Sequence, residues 1–469
     1  MSLYRQLQQR AASGRPVRVG LIGAGKFGSM YLAQVPRTPG VHLVAIADLN
    51  PDGARANLAR VGWPAARAQA RSLDTALASW GPSGEGATTW VTEDWKAVVS
   101  HPAIDVVVEC TGHPIAAVDH CLEAFAHGKH VVNVTVEADA FCGPLLAQRA
   151  ADKGVVYSLA YGDQPAMICD LVDWARTCGF AVVAAGRGHK WLPHFSESTP
   201  ETVWGHYGLT PQQAERGGLN PKMFNSFLDG SKPAIESTAV SNATGLAVPA
   251  DGLSYPPASV EDIPFVMRPR SEGGVLEKKG MVEVVSSLER DGRVIPYDIR
   301  MGVWVTVEGE TEYVRHCFEE YNAHTDPSGR YFTLYKRWHL IGLEVGLSVA
   351  SVALRREPTG VATGWRADVV ATAKRDLKPG ERLDGEGGYT VWGKLMPAER
   401  SLAMGGLPLG LAHGIGVTRP VARGQSLTWA DVAVDPTTRA YALRQEMGSL
   451  FAPRLARDAG RDAAPDAAR

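Results

Sequence analysis

The chain has 469 residues, too many for one ordinary hydrophobic core, so two or three domains are expected. Hydrophobic residues make up 45% and charged residues 21%, the balance of a soluble globular protein. With 48 basic against 50 acidic residues the formal net charge is −2, which offers no electrostatic footprint for nucleic acid or an anionic membrane.

The first fifteen residues are polar and helix-favouring and lack the apolar centre of a signal peptide, so a cytoplasmic location is expected. Short apolar runs then read as strands at 17–22, 41–47, 106–109, 130–134 and 155–159. Helical patterns lie between them, as at 29–34 and 116–127. Repeated strand–helix units predict an α/β, doubly wound parallel sheet of the Rossmann type over residues 1–160. Residues 65–89 look like an insertion, with a turn at Gly81-Pro82-Ser83-Gly84.

The first strand runs into Gly23-Ala24-Gly25-Lys26-Phe27-Gly28, a G-x-G-x-x-G pattern that opens a helix. A second strand ends at Asp48, twenty residues after Gly28. A lone glycine pattern is weak, but this context meets the test for dinucleotide binding. Gly23 permits the tight turn, Gly25 lets backbone N–H groups approach a pyrophosphate, and Gly28 allows close helix–strand packing. Asp48 would accept hydrogen bonds from a ribose 2′-hydroxyl, which favours NAD; a 2′-phosphate would need Lys26, Arg55 or a rearranged loop to compensate.

A further apolar strand ends in Thr111-Gly112-His113-Pro114, at the carboxyl edge where such sheets bind ligands. His113 is read either as a cofactor contact or as a solvated loop residue. Glu137 and Asp139 follow the next strand and could orient substrate, hold a metal or cap a helix.

Residues 161–360 form the expected catalytic and oligomerisation domain, which would close over the nicotinamide. The densest polar cluster lies there: Arg187 and Lys190, then Asn220, Lys222, Asn225, Ser226, Asp229, Lys232 and Glu236. If 222–236 is one helix, Lys222, Asn225, Asp229, Lys232 and Glu236 share a face. Lysines can polarise a carbonyl or hold an alkoxide, and carboxylates can move protons, so the cluster suits a polyhydroxylated, anionic substrate. The bland alternative is a solvated face of ion pairs. Residues 339–354 read as a buried helix with Leu343, Leu347, Ala350 and Leu354 facing inward, too short for a bilayer. Residues 365–451 read as a Gly-rich β module and 452–469 as a flexible tail. None of the six cysteines forms a CxxC pair or a Cys/His cluster of zinc-ligand spacing, and most are expected to be small buried hydrophobes.

These stretches carry a resemblance that spans nearly the whole chain. It is strongest at 17–28, 155–165, 186–193, 198–204, 220–236 and 339–351. The chain resembles homoserine dehydrogenase-like oxidoreductases with a C-terminal SAF domain, near the deoxyxylulose phosphate reductoisomerase-like enzymes. The resemblance implies NADPH-dependent rearrangement and reduction of 1-deoxy-D-xylulose 5-phosphate to 2-C-methyl-D-erythritol 4-phosphate, and it shifts the expected cofactor from NAD to NADP. Lys190, Lys222 and Lys232 would then hold the phosphate and oxyanion, Asn225 and Ser226 would bind hydroxyls, and Glu236 or Asp229 would move protons. A homodimer or tetramer is expected.

Two features depart from the homoserine dehydrogenase pattern. Homoserine dehydrogenases place a lysine where this chain has Glu137-Ala-Asp139, and their regulatory module is replaced, which disfavours homoserine. The reductoisomerases' acidic metal motif is not recognisable, so a divalent metal is left open. The rival readings are a sugar-acid or branched-polyol dehydrogenase or oxidoisomerase, and a non-catalytic dinucleotide sensor.

Overall fold

Six short strands share one parallel sheet. They are β1 (Val17–Ile22), β2 (Val41–Ala47), β3 (Trp90–Thr92), β4 (Val106–Glu109), β5 (His130–Asn133) and β6 (Tyr157–Leu159), in the order β3-β2-β1-β4-β5-β6. The computed structural model describes residues 2–81 and 84–462. The strands are buried on both faces, as a parallel sheet covered by helices must be. Sequence patterning located five of the six. It missed β3, a three-residue edge strand of mixed polarity too short to show a period. In the expected insertion, Pro82 and Ser83 lie outside the described residues.

The described residues fall into two compact units. The first comprises the chain up to Ala138, Leu145–Met167 and His339–Val361. Its core gathers Val19, Leu21, Val106, Val108 and Val132 of the sheet with Val345, Val349 and Val352. The last three come from the expected buried helix, which forms only over Gly346–Arg355. Residues 341–345 are turns, because Gly342 takes a φ of +75° where the chain passes against Phe27 and Met30. That reshapes the inward face. Leu343 and Leu347, expected inside, are 37% and 42% exposed, and the valines are buried instead.

The second unit comprises Asp139–Pro144, Ile168–Trp338 and the chain from Ala362. Its main sheet contains β7 (Ala181–His189), β8 (Met281–Ser286), β9 (Val303–Glu308) and β10 (Tyr331–Lys336), in the order β10-β9-β7-β8. Only β7 and β8 pair in parallel. Small sheets follow: β11 (Ala367–Ala373) with β13 (Val391–Pro397), and β12 (Arg382–Asp384) with β14 (His413–Val417) and β15 (Val432–Ala433). The helix Ser231–Thr244 is buried along most of its length because it packs on β11 and β13 as well as β8.

The last helix runs over Arg439–Asp462, so 452–462 of the expected flexible tail are helical; 463–469 lie outside the described residues. Cys110, Cys121 and Cys142 are buried, Cys169 and Cys317 are half-buried and Cys178 is exposed, so half of the six rather than most are buried. Among the described residues no helix is long and apolar enough to cross a membrane.

Candidate functional site

In the first unit the glycine loop has the geometry its spacing implies. Gly23 takes a φ of +93°, and a Cβ there would stand 2.8 Å from the carbonyl oxygen of Cys110. A Cβ on Gly28 would meet the Gly23 carbonyl oxygen at 2.5 Å. Both positions are therefore closed to a side chain. Gly25 has open space around it and caps the helix Lys26–Gln34. Its neighbours leave room for a ligand at the positive helix end. Lys26 is exposed beside it, Phe27 is half-buried against the core, and Ala24 is buried, its carbonyl accepting from Asn57 Nδ2 at 2.8 Å.

Asp48 lies just beyond β2 and is tied to this loop. Its Oδ2 accepts the Ala24 N–H at 2.7 Å and its Oδ1 accepts the Asn50 N–H at 2.8 Å. The carboxylate is thereby held at the edge where an adenosine ribose would lie. Arg55, one possible partner for a 2′-phosphate, pairs with Asp52 at 3.2 Å. Beyond β4, Thr111 is half-buried and Gly112 is exposed with a φ of +71°. His113 caps the helix Pro114–Ala126, its Nδ1 accepting the Ala116 N–H at 3.2 Å. Glu137 sits half-buried in the first turn of the helix Val136–Asp152.

The second unit holds the polar cluster, and one expectation about it fails. Residues 222–236 are not one helix. Pro221–Leu228 ends at Asp229, Gly230 takes a φ of +90°, and Ser231–Thr244 starts anew. A left-handed residue cannot continue a right-handed helix. Lys222, Asn225, Asp229, Lys232 and Glu236 therefore do not form a single face.

Most of these side chains hold protein partners instead. Asn225 is fully buried: its Oδ1 accepts from Ser198 Oγ at 2.6 Å, and its Nδ2 donates to the carbonyls of Ser198 and Gly387, each at 2.9 Å. Ser226 Oγ donates to Glu386, and Lys222 Nζ to the carbonyl of Asp384. Asp229 is fully buried beside the Lys374 ammonium at 2.8 Å. Lys374 also donates to the carbonyls of Ser198 and Gly388, both at 2.7 Å, so its three protons are spoken for. Burial nevertheless pushes the Asp229 carboxyl above its ordinary range against the pull of Lys374. Glu236 pairs with Arg187, both buried.

Two further lysines lie in this segment. Lys190 donates one proton to the His206 carbonyl at 2.7 Å and lies over the Tyr207 ring at 5.5 Å. Burial, then Arg300, lowers its pKa. Lys232 is half-buried near the start of its helix. Next to Lys190, His189 is pushed down to about 3 by burial and then by Arg187, so it is neutral; one ring nitrogen is 2.6 Å from the Phe227 carbonyl.

Several participants escaped the sequence reading. Lys374, Asp384, Glu386 and Gly387 come from the C-terminal module, which the sequence marks only as Gly-rich β structure. A Cβ on Gly387 would stand 2.1 Å from the Lys222 carbonyl oxygen, so the loop lies directly on the Pro221–Leu228 helix. The acidic, glycine-rich run Asp384-Gly-Glu-Gly-Gly388 was the available signal. Tyr255 has a φ of 48° and stacks on Trp191 with ring centres 4.2 Å apart. Non-glycine residues seldom adopt that backbone, and nothing in the sequence marks it. Among the described residues no group of three His, Cys, Asp or Glu side chains could hold a metal.

Comparison with known proteins bears on both regions. Residues 23–158 match the NAD binding domain of homoserine dehydrogenase, and residues 162–345 match the catalytic domain of the oxidoreductase DRL. The chain joins a homoserine dehydrogenase-type NAD-binding domain to a DRL-type catalytic domain. It is an NAD(P)-dependent oxidoreductase, and its cofactor is a nicotinamide dinucleotide. The DRL-type region contains the whole segment from Lys190 to Glu236.

No curated protein matches the chain. Among solved structures it is similar to a homoserine dehydrogenase from Thiobacillus denitrificans at 16% identity, covering 73% of this chain and 76% of that one with a TM-score of 0.40. A probable dehydrogenase from Thermotoga maritima is 15% identical, with coverage of 74% and 91% and a TM-score of 0.38. A myo-inositol dehydrogenase from Lactobacillus casei, solved with NAD(H) and myo-inositol, is 16% identical, with coverage of 63% and 72% and a TM-score of 0.30.

Proposed function

We propose that this oxidoreductase is a reductoisomerase that converts 1-deoxy-D-xylulose 5-phosphate to 2-C-methyl-D-erythritol 4-phosphate with NADPH. The observation that carries the reading is the DRL-type catalytic domain over 162–345. Carbon–carbon migration yields an aldehyde. The bound nicotinamide supplies the hydride that reduces it. The backbone N–H groups of Gly25 to Gly28 hold the pyrophosphate, which the open space at Gly25 accommodates. Lys190, Lys222 and Lys232 are assigned to the phosphate and the developing oxyanion. Asn225, Ser226, Asp229 and Glu236, already satisfied by protein partners, hold that segment in shape. No step is assigned to a divalent metal. The working enzyme is a homodimer or tetramer acting on a small anion, and its last domain is SAF-like.

A second reading is favoured by Asp48. A carboxylate pinned at the ribose edge repels a 2′-phosphate and suits NAD. This reading makes the enzyme an NAD-linked dehydrogenase or oxidoisomerase of a sugar acid or branched polyol. One experiment separates the two. Purified protein is given deoxyxylulose phosphate, NADPH and a divalent metal, and in parallel a panel of short polyhydroxy acids with NAD. NADPH consumption with the first substrate supports the reductoisomerase. No consumption above background, together with NAD reduction in the panel, overturns it in favour of the second reading.

A further inference from the structure

One buried carboxylate ties together the ends of β4 and β5. Glu109, the last residue of β4, is fully buried. Its Oε1 accepts from Thr111 Oγ1 at 2.6 Å and lies 3.1 Å from Nδ1 of His120. Its Oε2 accepts from Thr135 Oγ1 at 2.5 Å. The Thr135 oxygen in turn accepts the backbone N–H of Gly112 at 3.0 Å. Asn133, at the end of β5, donates to the Thr135 carbonyl at 3.0 Å. The His120 ring also packs against Trp95, with ring centres 4.5 Å apart and planes at 63°.

Two features set this network apart from ordinary packing. Thr135 stands at the start of the helix Val136–Asp152, where a threonine hydroxyl normally accepts a backbone N–H of the first turn. Here it makes no such capping bond and gives its proton to Glu109. Burying a carboxylate among hydroxyls and one imidazole also costs more than an apolar residue at the same place. An apolar side chain would continue the Val106-Val-Val108 run that precedes it. The carboxylate is worth that cost if what it holds has to be in one place.

What it holds is the Thr111-Gly112-His113 turn. The strand order puts β1 and β4 side by side at the centre of the sheet, where the crossovers diverge and ligands bind. The glycine loop after β1 takes the pyrophosphate, and Asp48 beyond β2 marks the adenosine side. The nicotinamide half must then extend the other way, over the ends of β4 and β5. Gly112 lies there, exposed, with open space where a side chain would be.

We propose that Glu109 is a positioning residue for the nicotinamide half of the dinucleotide, acting through Thr111 and Thr135 on the backbone of Gly112. The proposal rests on the dinucleotide reading of this sheet edge and is independent of the substrate.

Calorimetric titration tests it with two ligands, NADH and ADP, the latter lacking the nicotinamide half. Glu109→Gln and Thr135→Val are expected to weaken NADH by about tenfold or more while ADP stays within about twofold. Thr135→Ser, which keeps the hydroxyl, is expected to restore NADH binding. Unchanged NADH binding in Thr135→Val and Glu109→Gln overturns the proposal. Equal losses for NADH and ADP, or a serine variant as weak as the valine one, also overturn it, because they mark a merely structural role. Wild-type protein that binds neither ligand would remove the dinucleotide reading and the proposal together.

Discussion

Glu283 should make the stability of the second unit depend on pH. It lies in β8, buried, and accepts the backbone N–H groups of Ser254 at 3.1 Å and Val284 at 2.8 Å and the Ser254 hydroxyl at 2.7 Å. These bonds favour the charged form, yet burial outweighs them and raises its pKa from 4.5 to about 7. The native state therefore keeps a proton that the unfolded chain releases between those two values. Stability must then fall as pH rises through that window, the opposite of a salt-bridged carboxylate. Between about pH 5 and about pH 8 the loss amounts to roughly 2–3 kcal/mol. Glu283→Gln is neutral throughout and keeps the shape of the site, its amide oxygen accepting the two N–H groups and its NH2 facing the Ser254 hydroxyl. The variant should match the wild type near about pH 5 and melt roughly 3–5 °C higher near about pH 8. Scanning fluorimetry across that range checks it. Parallel pH profiles for the two proteins would refute the reasoning, since the slope could not then come from Glu283.

Lys374→Met strands the buried Asp229 charge and is expected to cost about 3–5 kcal/mol in urea denaturation, with Lys374→Met/Asp229→Leu recovering most of it. A single variant as stable as wild type, or a double variant no better than the single, would contradict the assignment. Gly28→Ala sets a Cβ 2.5 Å from the Gly23 carbonyl oxygen. NADH affinity should fall at least about tenfold, roughly 1.4 kcal/mol, by calorimetry. An unchanged Kd in a folded variant would show that this loop does not hold the pyrophosphate. Asp48→Asn removes the charge that opposes a 2′-phosphate and should shift the NADPH-to-NADH affinity ratio by about tenfold toward NADPH. An unmoved ratio would mean that the carboxylate does not face that position.

The Rossmann sheet was legible because its signals are local. Gly23, Gly25, Gly28 and Asp48 lie within one strand–helix–strand unit, so their spacing alone carries the pattern, although the contact that closes Gly23 to a side chain comes from Cys110 beyond β4. The polar cluster was legible in composition but not in geometry. Its periodicity fitted a single helix, and one left-handed glycine, Gly230, was enough to break it. Its partners were out of reach of any spacing rule. Lys374 is 145 residues beyond Asp229, and Glu386 is 160 residues beyond Ser226. Glu109 was hidden differently. It ends an apolar strand, where a polar residue usually marks only the edge of the sheet, and its burial depends on Thr135 and His120 arriving from other elements.

A lysine-rich segment in a sequence invites a ligand, but a buried charge must first be satisfied by the protein. Lys374 shows the limiting case: three protons, three acceptors, no donor left for a substrate. The same bookkeeping ranks the others. Asn225, Asp229 and Glu236 are buried and engaged, so removing them should act on folding before it acts on catalysis. Lys190 and Lys222 each give one proton to a backbone carbonyl and are only half-buried. An ammonium has three protons, so both can still grip an anion. Of the two, Lys190 has a pKa lowered by burial and by Arg300. A lysine that releases its proton more readily than usual is the better proton donor to a developing alkoxide, because its acidity moves toward neutral pH. Lys190→Ala should therefore lower kcat and alter the alkaline limb of the pH–rate profile, whereas Lys222→Ala should chiefly raise KM.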